Sequence, residues 1–116
     1  MKHTLVMKPL RFLGTSLQDL KTEFPVQARR KAGFQLKNVQ TGKPPGDWKP
    51  MTTIGASVME LRIRVNGEYR VIYVAKFVEA VYVLHVFAKQ TSKPPKTDLD
   101  LARRRYQQLL IDRQKL

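Results

Sequence analysis

Basic side chains at short, regular spacings are where this sequence could do chemistry. Glu60, Arg62 and Arg64 alternate with Leu61, Ile63 and Val65, and Arg70 follows just beyond the turn signal Asn66-Gly67. A planar guanidinium matches the oxygens of a phosphate, so two arginines brought side by side would hold a phosphodiester and stabilise charge developing on it. The length of the loop decides whether they meet. A two-residue turn pairs Val65 with Glu68 and sends Arg70 to the opposite side of the sheet, beside Ile63. A three-residue loop, Val65 to Gly67 with Gly67 left-handed and a bulge, pairs Arg64 with Glu68 and Arg62 with Arg70. The apolar pattern favours the longer loop, because Leu61 and Ile63 then share a face with Tyr69, Val71, Tyr73, Ala75 and Phe77. Like charges directly opposite each other cost stability, so an Arg62–Arg70 pair implies an anion between them, with phosphate the natural occupant. Arg64, facing Glu68, reads as one half of an ion pair.

Further bases follow. Lys89 and Lys93 stand at the exit of a later strand and would complete a phosphate-binding rim, with Arg64, Lys76, Gln90 and Lys96 as additional contacts along a phosphate backbone. His85 sits inside an apolar run, where a hydrogen-bonded core histidine is the stronger reading than a general base.

Composition narrows the chemistry further. The chain has 116 residues, no cysteine and two histidines, which excludes a thiolate nucleophile, a disulfide framework and a cysteine-based zinc site. A metal centre would have to come from only nine Asp and Glu residues, so neither metal nor cofactor is expected. The length suits one domain spanning residues 1–116, and 42% apolar residues suffice for a core. Against the nine acids stand 22 Lys and Arg, a net charge of +13, which points to an anionic partner, nucleic acid first. An acidic protein partner or a merely solvated basic surface are the alternatives. Residues 1–57 carry +7, residues 58–88 only +1 and residues 89–116 +5, so the flanks hold most of the excess. No run approaches the ~18 apolar residues of a membrane span, and the first ten residues lack the pattern of a signal peptide, so a cytoplasmic location is expected.

The elements that must position these bases follow from periodicity. Thr4 to Met7 reads as a short strand before Pro9. Thr15 with Gln18 has the form of a capping box opening a short helix along which Leu17, Leu20 and Phe24 recur. Pro25 opens a second helix with the apolar stripe Ala32, Leu36 and Val39, its bases Arg29, Arg30, Lys31 and Lys37 lying mostly off that stripe, and Gly42 ends it. After the irregular stretch KPPGDWKP, strands at 58–65, 69–77 and 80–88 form an antiparallel meander. Thr97, Asp98 and Asp100 open a last helix whose stripe is Leu99, Ala102, Tyr106, Leu109 and Leu110. The order gives an α+β fold, N-terminal helices and a C-terminal helix packed on a small twisted antiparallel sheet, with one face covered and the arginine face open.

The run GASVMELRIRVNGEYRVIYVAKFVEAVYVLHVFAKQTSKPP, with KPLRFLGTSLQDLKTEFP and GDWKPM before it and DLDLARRR after it, resembles the phage-related, HigB-like branch of the RelE/ParE toxin superfamily over nearly the whole chain. The resemblance implies a toxin made beside a helix-turn-helix, HigA-like antitoxin, touching operator DNA only through that complex. It also implies ribosome-dependent cleavage of mRNA without a metal, in which the RNA 2′-hydroxyl attacks a phosphate held by bases on the sheet. The family's strand arginine after the hairpin falls on Arg70, its preceding strand base on Arg62 and the basic position ending the last strand on Lys89. Gln90 stands where many relatives have a second base, and Lys93 is the substitute candidate. The C-terminal tyrosine of some relatives corresponds to Tyr106, for which a core-facing aromatic is the better reading. On this view Arg70→Ala abolishes cutting without unfolding the domain. A ParE-like inhibitor of DNA gyrase and a non-catalytic RNA-binding module are the competing readings, since fold alone does not separate them.

Overall fold

The computed structural model describes residues 7–90 and 95–115. Most of the strand expected at Thr4 to Met7, and Lys93, lie outside them. Five strands form one open sheet: β1 (Leu10–Phe12), β2 (Trp48–Pro50), β3 (Val58–Arg64), β4 (Glu68–Val74) and β5 (Val81–Ala88). Their order is β1-β5-β4-β3-β2. The meander β3-β4-β5 is antiparallel, as its alternating and turn-bounded runs require, and β2 adds antiparallel to its outer edge. The remaining edge differs from the expected all-antiparallel sheet, because β1 lies parallel to β5, so the sheet is mixed.

Three helices accompany the sheet, α1 (Ser16–Glu23), α2 (Val26–Gln40) and α3 (Lys96–Gln114). Along α2 the small and branched residues Ala28, Ala32, Leu36 and Val39 recur on one face and bury against Leu61, Ile63, Val71 and Val83. Pro25, extended at ψ 162°, stands at the N-cap, and Gly42 at φ +81° takes the left-handed position past the end. On the opposite face α3 lays Ala102, Tyr106 and Leu109 over Ile72, Val74, Leu84 and Phe77. Its tyrosine packs so tightly over Gly55 that any side chain there would strike the ring.

Both faces are thus covered, not one as expected, but α3 covers only part of its face. The reason is in β4, whose residues on that face change from Glu68 and Arg70 to Ile72 and Val74 midway along the strand. Apolar residues go beneath α3 and charged ones stay at the hairpin end. The capping box of α1 is also not formed. Thr15 occupies the N-cap without capping, and its hydroxyl instead donates to Asp19 Oδ2 at 2.8 Å and accepts from Arg105 Nη2 at 3.1 Å.

Candidate nucleic-acid interface

The register at the Asn66-Gly67 hairpin is the one that gathers the charges. Arg64 pairs with Glu68, Arg62 with Arg70 and Glu60 with Ile72. On the other side of β4, Arg70 pairs with Phe87 and Ile72 with His85. The uncovered end of the face is therefore a grid whose central row is Arg62, Arg70 and Phe87. Lys89 follows at the end of β5, where its backbone N–H donates to the Glu68 carbonyl at 2.8 Å, setting it beside the Arg64–Glu68 row.

An anion does stand between the two arginines, and it is the protein's own. Glu60 Oε1 lies 3.4 Å from Nε of both Arg62 and Arg70, with Lys49 Nζ at 3.9 Å. Glu60 is buried, and Arg70, only 5% exposed, has Glu68 at 3.6 Å on its other side. Phosphate is thus not needed to make the arginine pair tolerable; a carboxylate two residues before Arg62 already does so. Two kinds of spare capacity remain. Arg70 Nη1 is buried with no hydrogen-bond partner among the described residues. Arg62, its side chain 27% exposed, makes its only ion pair among the described residues with Glu60. Arg64 is the outermost, 60% exposed, and it is shared loosely between Glu68 at 3.6 Å and Asp47 at 3.8 Å, which agrees with the ion pair read from the sequence.

The bases do not end at the sheet. β2 pairs with β3 only as far as Leu61, and beyond it a cleft of about 310 Å³ runs round the strand edge between Arg62, Arg64, Asp47 and the α2 residues Lys31 and Gln35. Lys31 Nζ reaches the Arg64 carbonyl at 3.4 Å. Its signal in the sequence was its position off the apolar stripe of α2, which says that it is exposed but not which strand it approaches.

His85 is on the same face as the arginines by simple alternation from Phe87, and a bulge opposite Ile72/Tyr73 puts its neighbour Leu84 on that face as well. Both of its ring nitrogens are engaged. Nε2 lies 2.7 Å from Asp98 Oδ1, and Nδ1 lies 3.3 Å from Arg105 Nη1, which also donates to the Leu84 carbonyl at 2.9 Å. A guanidinium carries only donors, so Nδ1 accepts and the Nε2 proton goes to Asp98. Burial lowers the affinity of the Arg105 guanidinium for its proton, the largest influence upon it. The arrangement bolts the first turn of α3 to β5 and leaves His85 no nitrogen for a substrate, as the core reading held. Its ring stacks on Phe87, with centroids 5.7 Å apart.

The other candidates scatter. Gln90 is exposed and lines a cleft of about 330 Å³ with Asp19, Glu23 and Asp98, a ring of acids around a neutral amide. Lys76 lies past the far end of β4, its Nζ 5.2 Å from the centre of the Phe77 ring, so it does not join the grid. Tyr106 is a core residue, its hydroxyl donating to the Ala56 carbonyl at 3.1 Å. Lys96 is exposed at the start of α3. Among the described residues, no three His, Cys, Asp or Glu side chains converge as metal ligands, and no helix is long and apolar enough to cross a membrane.

Residues 18–107 match the family model described as Phage derived protein Gp49-like (DUF891). No curated protein matches the chain.

Proposed function

Because the chain belongs to the Gp49-like family of phage-derived proteins, part of the RelE/ParE-like toxin superfamily and so a family of toxin–antitoxin toxins, we propose that it is a HigB-like, ribosome-dependent mRNA endoribonuclease. One observation carries the reading: Arg62 and Arg70 lie directly opposite each other on the uncovered end of the sheet, and Arg70 keeps a buried Nη1 without a partner among the described residues. An unsatisfied guanidinium nitrogen is costly, and a phosphate oxygen is the acceptor that suits it.

In the proposed reaction the 2′-oxygen attacks the adjacent phosphorus and loses its proton, the P–O5′ bond breaks, and the departing oxygen is protonated. The products are a 2′,3′-cyclic phosphate and a 5′-hydroxyl. Arg62 and Arg70 hold the non-bridging oxygens, whose negative charge grows in the transition state, while Lys89 or Lys93 faces the leaving oxygen. Arg64, Lys31 and Gln90 contact the neighbouring RNA, and Lys96 adds charge at its edge. Purified chain added to ribosomes programmed with mRNA will generate new 5′-hydroxyl ends within the reading frame. Intact mRNA at stoichiometric protein, above all together with DNA breaks in cells expressing the chain, would overturn the reading in favour of a gyrase target.

A further inference from the structure

The α2 face of the sheet carries a second concavity, at the end away from the hairpin. A groove of about 590 Å³ opens between the C-terminal turn of α2, the Gly42–Pro45 loop and the edge strand β2. Its floor is apolar, with Met59, Tyr73 and Ala75 beneath Trp48, a large ring left 42% exposed on a strand of which every residue is exposed. The charges around it are of one sign. Among the described residues, Lys8, Lys43 and Lys76 line it and no carboxylate does. Lys8 Nζ donates to the Ala75 carbonyl at 2.6 Å and meets no carboxylate among the described residues, whereas Lys76 Nζ turns to the Phe77 and Tyr106 rings on the α3 side, so only its stem edges the groove. Among the described residues no arginine lines the groove, and the flat guanidinium forks that suit a nucleic-acid backbone are elsewhere.

An exposed aromatic anchor over an apolar floor, edged by uncompensated lysines, fits apolar side chains carried on an acidic segment. We propose that this groove docks a short acidic, apolar segment of a partner protein, the antitoxin that the family implies. The identification of the partner rests on the toxin reading, whereas the chemistry of the segment does not. Because Trp48 pairs with Leu61 and Met59 with Tyr73, the groove sits on the opposite face from Arg62 and Arg70. A partner seated there leaves the arginine grid uncovered, so the docking segment by itself does not plug the RNA site.

Trp48 is the only tryptophan in the chain, so its emission reports the groove directly. The full chain is titrated with three synthetic amphipathic peptides of one length whose polar positions are all Glu, all Gln or all Lys. The Glu peptide will shift Trp48 emission to the blue and saturate. Lys8→Glu with Lys43→Glu will weaken that binding at least about 10-fold, whereas Arg62→Ala with Arg64→Ala will change it less than about 2-fold, circular dichroism confirming that each variant is folded. An unmoved emission, equal binding of the Gln peptide, or loss of binding in the Arg62/Arg64 variant but not the lysine variant would overturn the proposal. So would a doubled mass by light scattering with Trp48 already shielded, which would make the occupant a second copy of the chain. None of these readings depends on whether mRNA is cut, so failure of the nuclease reading is seen separately.

Discussion

Arg62 and Arg70 differ in what they risk. Arg70 is buried between Glu60 and Glu68, whereas Arg62 is partly exposed and, among the described residues, forms an ion pair with Glu60 alone. Removing one member of a buried ion pair strands the other, at about 3–5 kcal/mol, while replacing both by apolar groups of similar size is often neutral. Glu60→Ala is therefore expected to destabilise the fold by ~3–5 kcal/mol in urea unfolding, because two opposed arginines lose the anion between them. Arg70→Ala costs less, on the order of 2–3 kcal/mol, since Glu60 keeps Arg62 and Lys49. Arg70→Ala is thus expected to lower stability as well as cleavage, so its loss of cleavage has to be read beside its urea midpoint. The double variant Glu60→Leu with Arg70→Met should recover most of the stability and none of the cleavage. Arg62→Ala, costing ~0–1 kcal/mol, should abolish cutting with an almost unchanged urea midpoint, and full activity in this variant would remove Arg62 from the site.

The hairpin between β3 and β4 decides whether these residues meet at all. Its register was legible, because only the longer loop gives Leu61, Ile63, Val71 and Tyr73 one apolar face. The conformation within it was less so: Asn66 takes the left-handed position at φ +50° and Gly67 lies at φ +151°, while the sequence suggested Gly67 alone. Asn tolerates that region because its short amide bonds locally, whereas a β-branched residue does not. Asn66→Val is expected to lower stability by ~1–2 kcal/mol and Asn66→Gly to be nearly neutral by thermal unfolding; equal losses would mean that the turn backbone is not the constraint. Glu60 was recognised as sharing the arginine face, but its role was missed. Its direct partner is Ile72, and it reaches Arg70 only across the diagonal, a neighbour that direct pairing does not display. The bulge in β5 was hidden for a different reason. Val81 to Phe87 is apolar apart from His85, so no alternation marks where the strand skips a residue. The parallel β1 and the Asp98 contact to His85 depend on where distant segments come to rest, which local periodicity does not encode.

Across the molecule, the +13 charge is not concentrated where the chemistry is proposed. Around the grid Lys31, Lys49, Arg62, Arg64, Arg70 and Lys89 face Asp47, Glu60 and Glu68, a local excess of only +3. Attraction of RNA must therefore come chiefly from the flanking helices, and the same excess makes the fold vulnerable to acid. As carboxylates protonate, the 22 Lys and Arg lose their nine counter-charges and self-repulsion grows. One carboxylate adds a specific contribution. Glu79, in the turn between β4 and β5, accepts from Arg113 at 2.7 and 3.1 Å and from the Tyr82 hydroxyl at 2.8 Å, while the Arg113 guanidinium lies 3.7 Å from the centre of the Phe77 ring. The Arg113 hydrogen bond, foremost, lowers the Glu79 pKa from 4.5 to about 2. A carboxylate depressed in the folded state binds its proton first in the unfolded chain, so its stabilisation is complete above pH 4.5 and is lost as pH falls towards 2. Glu79→Gln removes this step but leaves the general repulsion. Between pH 4.5 and 2 the urea midpoint of the parent chain should therefore fall more steeply than that of Glu79→Gln. Parallel curves would show that the clasp between the last turn of α3 and the sheet does not contribute, and that acid acts on this protein through net charge alone.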